Sequence, residues 1–233
     1  KRTLGLKMDL FTLNNYLMKI YHNLEQGSTE WFELKNGKIG GTRSKQLFVK
    51  SDTLLIELIS ETIEPYDEDL ESYKSDAMEN GQMLEPQARF ELEKYTGVNF
   101  LEVGWIQSDN HLLGVSPDGI SSCATIGCEI KCPESKKHIK TCLNDEIPLD
   151  NINQCIHNFA VNPKLEKFYF VSYRPEFEIK PLFVKMINRE SEVNIGTESK
   201  PIIKTVSDVV EEIHKHTQEL ERKITESINK LKF

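Results

Sequence analysis

Three acids and one lysine in this chain have the types and spacing that metal-assisted hydrolysis needs. Ser116-Pro117-Asp118-Gly119 places an aspartate at a tight turn, for which Pro-Asp-Gly is a strong signal. Beyond it, Glu129-Ile130-Lys131 lies in a strand-like run. Side chains alternate along a strand, so Glu129 and Lys131 share one face and Ile130 points the other way, into the core. Carboxylates so placed bind Mg²⁺ or Mn²⁺ through oxygen. The ion lowers the pKa of bound water and neutralises charge building on a phosphoryl oxygen. Lys131 would orient the attacking water or stabilise a pentavalent transition state. The Asp-(x)10-Glu-x-Lys spacing alone is a weak signal, because charged pairs two apart are common on exposed strand faces. The flanking Pro117 and Gly119 and a further acid upstream, Glu85, strengthen it.

The elements that must position these groups are read from periodicity. Apolar positions at helical spacing from Met8 to Leu24 predict a first helix over 8–24. Ser28 or Thr29 caps a short helix carrying Trp31, Phe32 and Leu34; Gly40-Gly41 marks a turn, after which Thr42 or Ser44 caps another. Residues 74–96 read as a long helix closed by Gly97, with Pro86 kinking it or starting a second segment. Strands are expected over 98–106 and 111–120, joined by a turn at Ser108, Asp109 and Asn110, and over 128–132, 167–173 and 178–187. A helix over 152–161 crosses between them, and Thr205 to Leu231 keeps the steps of an amphipathic closing helix. The class is therefore α/β (α+β mixed): a small central mixed sheet flanked by helices, with a helical N-terminal part and a C-terminal helix. Residues 1–233 read as one domain: a helical front with a basic arm (8–97), a catalytic sheet with its crossing helix (98–188), and the final helix (205–231). Gly196 to Pro201 is the one linker-like stretch.

Composition narrows the function. With 38% hydrophobic and 28% charged residues in a chain of 233, a real core is affordable and wholesale disorder is excluded. No apolar run approaches the ~20 residues of a membrane span, and nothing at the start reads as a signal peptide. Without Met at position 1, the natural start is expected at Met8 or upstream. The net charge of −8 argues against coating nucleic acid by bulk attraction. Charge is uneven, however: Leu34 to Ser51 holds Lys35, Lys38, Arg43, Lys45 and Lys50 with no acid, followed by an acid-rich block from Glu57 to Glu93. That pairing reads as a phosphate groove beside a metal site or as two solvated faces. The cysteines (Cys123, Cys128, Cys132, Cys142, Cys155) form no paired CxxC knuckle and read as reduced, small buried hydrophobes in a cytosolic setting. Plain readings stand beside the sharp ones: Glu85 and Arg89 as a surface ion pair one turn apart, Asp109-Asn110 as a turn, His157 as packing, and Trp31 as a core anchor.

Taken in order, Gly81-x-x-x-Glu85-x-x-Ala88-Arg89, Ser116-Pro117-Asp118-Gly119, Glu129-Ile130-Lys131-Cys132-Pro133 and Gln154 on a helix resemble the phage lambda exonuclease family of the PD-(D/E)XK nuclease superfamily. Glu25-Gln26-Gly27, Trp31, Leu34 and Gly41-Thr42 look like its N-terminal segment, so the likeness spans about Glu25 to Ile187. The resemblance implies a restriction-endonuclease-like core. It assigns Asp118, Glu129 and Glu85, with Ile130, to the metal set (two Mg²⁺ ions, Mn²⁺ as a substitute), and Lys131 to the catalytic lysine. Gln154 matches the first glutamine of a Gln-x-Gln helix whose second position is Ile156 here. Lys35 stands where the family has an arginine gripping a terminal 5′-phosphate; it keeps the charge and loses the bidentate fork. Thr42 and Ser116 would complete that pocket, with Arg43, Lys45, Lys136 and Lys137, along with Lys38 and Lys140, along the DNA backbone.

The implied activity is 5′-to-3′ digestion of one strand of duplex DNA from its ends, leaving a 3′ single strand for an annealing protein. The implied assembly is a homo-oligomer, a toroidal trimer in the family. The implied location is the cytoplasm, that of the host if the protein is phage-encoded, with no membrane contact. Rival readings are another PD-(D/E)XK enzyme, such as a restriction, structure-specific or RecB-type nuclease, and an inactive DNA-binding scaffold of the same fold. The iron–sulfur branch needs a cysteine ahead of the core, and none precedes Cys123.

Overall fold

The computed structural model of the chain describes residues 18–66 and 76–232, the side chains of residues 76–80 and 82 excepted. The expected helix over 8–24 lies outside the described residues up to position 17. Its described end is a strand, β1 (Lys19–Tyr21), antiparallel to β2 (Trp105–Gln107) with Ile20 opposite Ile106. Pairing with a distant segment overrides the local helical spacing there. It depends on Gly104, whose N–H donates to Tyr21 O at 3.0 Å and where a Cβ would lie 2.0 Å from Leu24 O.

Ser28 caps α1 (Thr29–Lys35), its Oγ accepting from Trp31 N–H. The next expected helix is a 3-10 turn, Gly41–Phe48, with Gly40 rather than Thr42 or Ser44 at its cap. α2 (Thr53–Ile63) follows, a helix not expected from the sequence. α3 (Asp76–Thr96) runs continuously through Pro86 and ends at Gly97, which takes φ +71°.

The two strands expected over 98–106 and 111–120 are shorter and divided. β2 pairs with β3 (Gly114–Val115), and the turn between them is closed by Asn110 Oδ1 accepting from Leu112 N–H at 2.9 Å. The chain then leaves that sheet at Ser116-Pro117-Asp118 and joins a second one as β4 (Gly119–Ile120). Pro117 has no N–H for a ladder, so Asp118 sits at the break between two sheets.

The second sheet has the order β4, β5 (Ile126–Lys131), β6 (Lys167–Tyr173) and β7 (Leu182–Ile187). β5 and β6 are parallel and the other pairs antiparallel. A parallel pair needs a crossover, supplied by α4 (Ser135–Asn144) and α5 (Leu149–Val161). α4 was missed from sequence, and residues 178–181 belong to a loop rather than to β7. On one face of the sheet α5 packs Ile152, Ile156 and Phe159 toward Phe168 and Phe170. On the other, Ala88 and Leu92 of α3 meet Cys128, Ile130, Val171 and Tyr173. The presumed linker at 196–201 is the tip of a hairpin, β8 (Glu192–Asn194) with β9 (Ile203–Thr205), closed by Ile195 N–H to Ile202 O at 3.0 Å. α6 (Val206–Leu231) opens with a capping box between Thr205 and Asp208 and lies against α5 and α2. The whole is the mixed α/β architecture expected. Among the described residues no helix is long and apolar enough to cross a membrane.

Candidate active site

Alternation along β5 divides its side chains between the two faces. Ile130 joins the α3-side core, and Glu129 and Lys131 point to the α5 side. Glu129 is 1% exposed, with one carboxylate oxygen ion-paired to Lys131 Nζ. Its Oε2 is buried without a hydrogen-bond partner. Asp118, at the sheet break, is half-buried, and its Oδ2 accepts the Ile130 N–H at 2.6 Å. Ile130 therefore gives its side chain to the core and its N–H to Asp118, so only its carbonyl is left for an ion.

Glu85 reaches the same place from α3. Asp118 is near enough to raise the proton affinity of both glutamates, and Glu85 that of Glu129. Burial first, then the charge of Asp118, pushes Glu129 up to about 8 against the pull of Lys131. Burial and Asp118 likewise push Glu85 up to about 7, opposed by Arg89. Burial raises Asp118 too, while Lys131, the Ile130 N–H and Arg89 oppose it. Lys131 is itself raised: burial lowers it, and the Glu129 and Asp118 charges more than offset this. It keeps its proton at any working pH.

A cleft of about 480 Å³ opens beside Glu85, Arg89 and Asp118, walled opposite by the His22–Gln26 segment. Arg89, read from sequence as half of a surface pair, is only 8% exposed. It donates to Glu85 Oε1 at 2.6 Å, to the Asp118 carbonyl at 2.9 Å and to Glu102.

Among the described residues no three Asp, Glu, His or Cys side chains stand close enough to ligate one ion as they lie. The donor set still suits a hard divalent cation. It consists of carboxylate oxygens, one of them buried without a partner, and Asp118 raises the proton affinity of both glutamates despite Lys131 and Arg89.

The remaining predicted residues divide. Gln154 lies on α5 against the 3-10 turn: a Cβ on Gly41 would approach its Cγ to 2.9 Å. The neighbouring Cys155 thiol is buried within the field of Glu129, Lys131 and Asp118. Trp31 Nε1 donates to Ser116 Oγ and to Gly104 O, both at 2.9 Å, and the Lys35 ammonium sits 3.6 Å over the Trp31 ring. Ser116 gives its own hydrogen to Gly104 O at 2.5 Å, so its hydroxyl is committed to this bridge. Arg43 is likewise committed, to Glu57 and Glu61 of α2 at 2.8 Å each. Thr42, Lys45, Lys136 and Lys137 are exposed. His157 is buried, with Nε2 3.0 Å from Ile39 O and 3.1 Å from Gly114 O, a packing role as read. All five cysteines are free thiols; Cys123, expected to be buried, is exposed.

The mixed α/β fold, with its parallel pair joined by a helical crossover, fits the class that the lambda-exonuclease-like motifs led us to expect, although the sheet is divided where one was expected. The chain belongs to the family of the YqaJ-like viral recombinase domain, whose model matches residues 30–164. Two crystal structures of an alkaline exonuclease, LHK-Exo from Laribacter hongkongensis, resemble it. One is 25% identical with TM-score 0.69, covering 88% of this chain and 96% of that one. The other, a complex with dAMP, is 26% identical with TM-score 0.66, covering 88% and 98%. A phage-related exonuclease from Haemophilus somnus 129PT shares the fold at 11% identity, with TM-score 0.52 and coverage of 83% and 96%. No curated protein matches in sequence.

Proposed function

We propose that this chain is a metal-dependent exonuclease that digests linear double-stranded DNA from its 5′ ends, leaving 3′ single strands for an annealing protein. The observation that supports this reading is the electrostatic interaction among Glu85, Asp118, Glu129 and Lys131, with Glu85 and Asp118 lining one cleft, in a chain akin to an alkaline exonuclease. Asp118, Glu129 and Glu85, with the Ile130 carbonyl, would hold Mg²⁺, with two ions favoured and Mn²⁺ as substitute. Such an ion, when bound, acidifies water and offsets phosphoryl charge.

The chain's own groups do the rest. Lys131 Nζ, permanently protonated, serves as an electrostatic and hydrogen-bonding group, orienting the attacking water or stabilising the charge of the transition state rather than taking a proton. Asp118 is kept in place by the Ile130 N–H. Gln154 lines the site from α5. Lys35, seated on Trp31, and Thr42 receive the terminal phosphate, with Lys38, Lys45, Lys136 and Lys137 along the backbone. Arg43 and Ser116, being committed within the fold, support these contacts rather than make them. By the resemblance of its motifs the assembly is a homo-oligomer, a trimer as in the lambda exonuclease family, working in the cytoplasm, that of the host if the protein is phage-encoded.

The test is digestion of linear duplex labelled separately at each 5′ and 3′ terminus, with Mg²⁺, comparing the parent with Lys131→Ala. Release from the 5′ label alone, abolished by the substitution, is expected. Release from the 3′ label, or persistence in the variant, defeats the reading.

A further inference from the structure

Arg89 has no part in the chemistry above, yet it touches three segments of the site at once. Its Nε–H donates to the main-chain carbonyl of Asp118, one Nη–H to Glu85 Oε1, and the other Nη to Glu102. We propose that Arg89 is the positioning residue that sets Glu85 against Asp118, so that the two carboxylates can share a divalent cation. The inference rests on the metal-dependent nuclease reading and extends it to a residue that touches neither substrate nor ion.

Stability is a poor reason for this arrangement. A guanidinium at 8% exposure loses hydration, and buried ion pairs roughly break even against apolar packing. Geometry is a better reason. Asp118 is fixed at two points: its carboxylate by the Ile130 N–H at 2.6 Å, its carbonyl by Arg89 at 2.9 Å. Glu85 hangs on a flexible stem from α3, a different element from the one that carries Asp118, and like charge drives the two apart. The planar fork of Arg89, one helical turn beyond Glu85, spans both. An ammonium in its place would keep the charge, but as a point it could not hold a carboxylate and a carbonyl in fixed directions. Charge and orientation can therefore be separated by one substitution.

The experiment is Arg89→Lys in the full chain, with Mn²⁺ affinity measured calorimetrically on protein shown folded by circular dichroism. Steady-state kinetics on linear duplex accompany it. We expect a weakening of Mn²⁺ binding by about ten-fold, as for other residues that orient metal ligands, and a similar fall in kcat. KM for DNA should stay within about two-fold, since no DNA contact is lost. In a Glu85→Gln background, adding Arg89→Lys should weaken Mn²⁺ binding by less than it does in the parent, because one of the two residues it sets against each other is already gone. Unchanged Mn²⁺ affinity and kcat, additive effects in the double variant, or failure of Arg89→Lys to fold would each overturn the proposal and leave Arg89 structural. A folded parent that neither binds Mn²⁺ nor cuts DNA would instead remove the nuclease reading itself.

Discussion

Glu129 and Lys131 show how much chemistry a period-two alternation can bury in one strand. Because Ile130 is claimed by the α3-side core, its neighbours must face α5, where Glu129 is covered and ion-paired to Lys131. Lys131→Ala should therefore do two things: abolish most hydrolysis, by about 100-fold or more in kcat, and leave Glu129 without its partner. Rapid-quench cleavage of an end-labelled duplex reads the first. The raised proton affinity of Glu129 gives a second prediction with a definite sign. Its folded pKa of about 8 lies above the usual carboxylate value of 4.5. Its contribution to stability is thus complete below about pH 4.5 and is lost as pH rises through about 8. Without divalent cation, Glu129→Gln, which cannot ionise, should melt higher than the parent at pH 8.5 and nearly level with it at pH 4.5. A parent that gains stability between those pH values relative to the variant would show that the carboxylate is not starved of positive charge.

At the level of elements, α5 is tied to the β3 edge by one buried imidazole. Both partners of His157 Nε2 are carbonyls, so that nitrogen carries the hydrogen, and Nδ1 is buried with nothing to accept a second. Burial accordingly lowers its pKa from 6.5 to about 4. With a depressed histidine the stability is complete above about pH 6.5 and drains as pH falls toward 4, by about 3 kcal/mol in all. Urea titrations at pH 7 and pH 4 should show the parent losing about that much relative to His157→Gln. The closing helix is equally embedded. Val206, Val209, Val210 and Ile213 lie in the main core. A chain cut before Thr205 should therefore lose its cooperative thermal transition in calorimetry, rather than yield a folded subunit that merely fails to assemble. Long periodic elements such as α3, α5, β6 and α6 were legible in the sequence, as were the two motifs that carry the acids and the lysine. The rest was not, for reasons of tertiary pairing. β1 reads as helix because Ile20 and Leu24 fit that spacing, and only Gly104 and β2 make it a strand. α4 shows little apolar pattern because its buried positions are His138 and Thr141, the imidazole being satisfied by Ser172 and Lys180 O. The three-way grip of Arg89 was invisible because Glu102 and the Asp118 carbonyl are distant in sequence.

On the scale of the whole molecule, an acidic protein has to meet a polyanion. With a net charge of −8 the mean field repels DNA, so binding must come from a local set of cations, and that set can be counted by its response to salt. Arg43 drops out of the count because Glu57 and Glu61 neutralise it. Lys140 is paired with Glu198 at 2.9 Å. The proposed phosphate contacts are Lys35, Lys38, Lys45, Lys136 and Lys137. If each releases one counterion, a plot of log affinity against log salt should fall with a slope of about −4.5 for duplex. Lys45→Gln and Lys136→Gln should each flatten it by about 0.9, whereas Arg43→Gln should leave the slope unchanged while lowering the melting temperature. Fluorescence anisotropy with the uncleaving Lys131→Ala protein measures this without loss of substrate. Linear and covalently closed circular duplex then separate end capture from track binding. An end-dependent enzyme should hold the linear form more tightly through Lys35 and the terminal phosphate, and the parent with Mg²⁺ should leave the circle intact. Equal affinity for both forms, with nicking of the circle, would make the chain an endonuclease on the same fold.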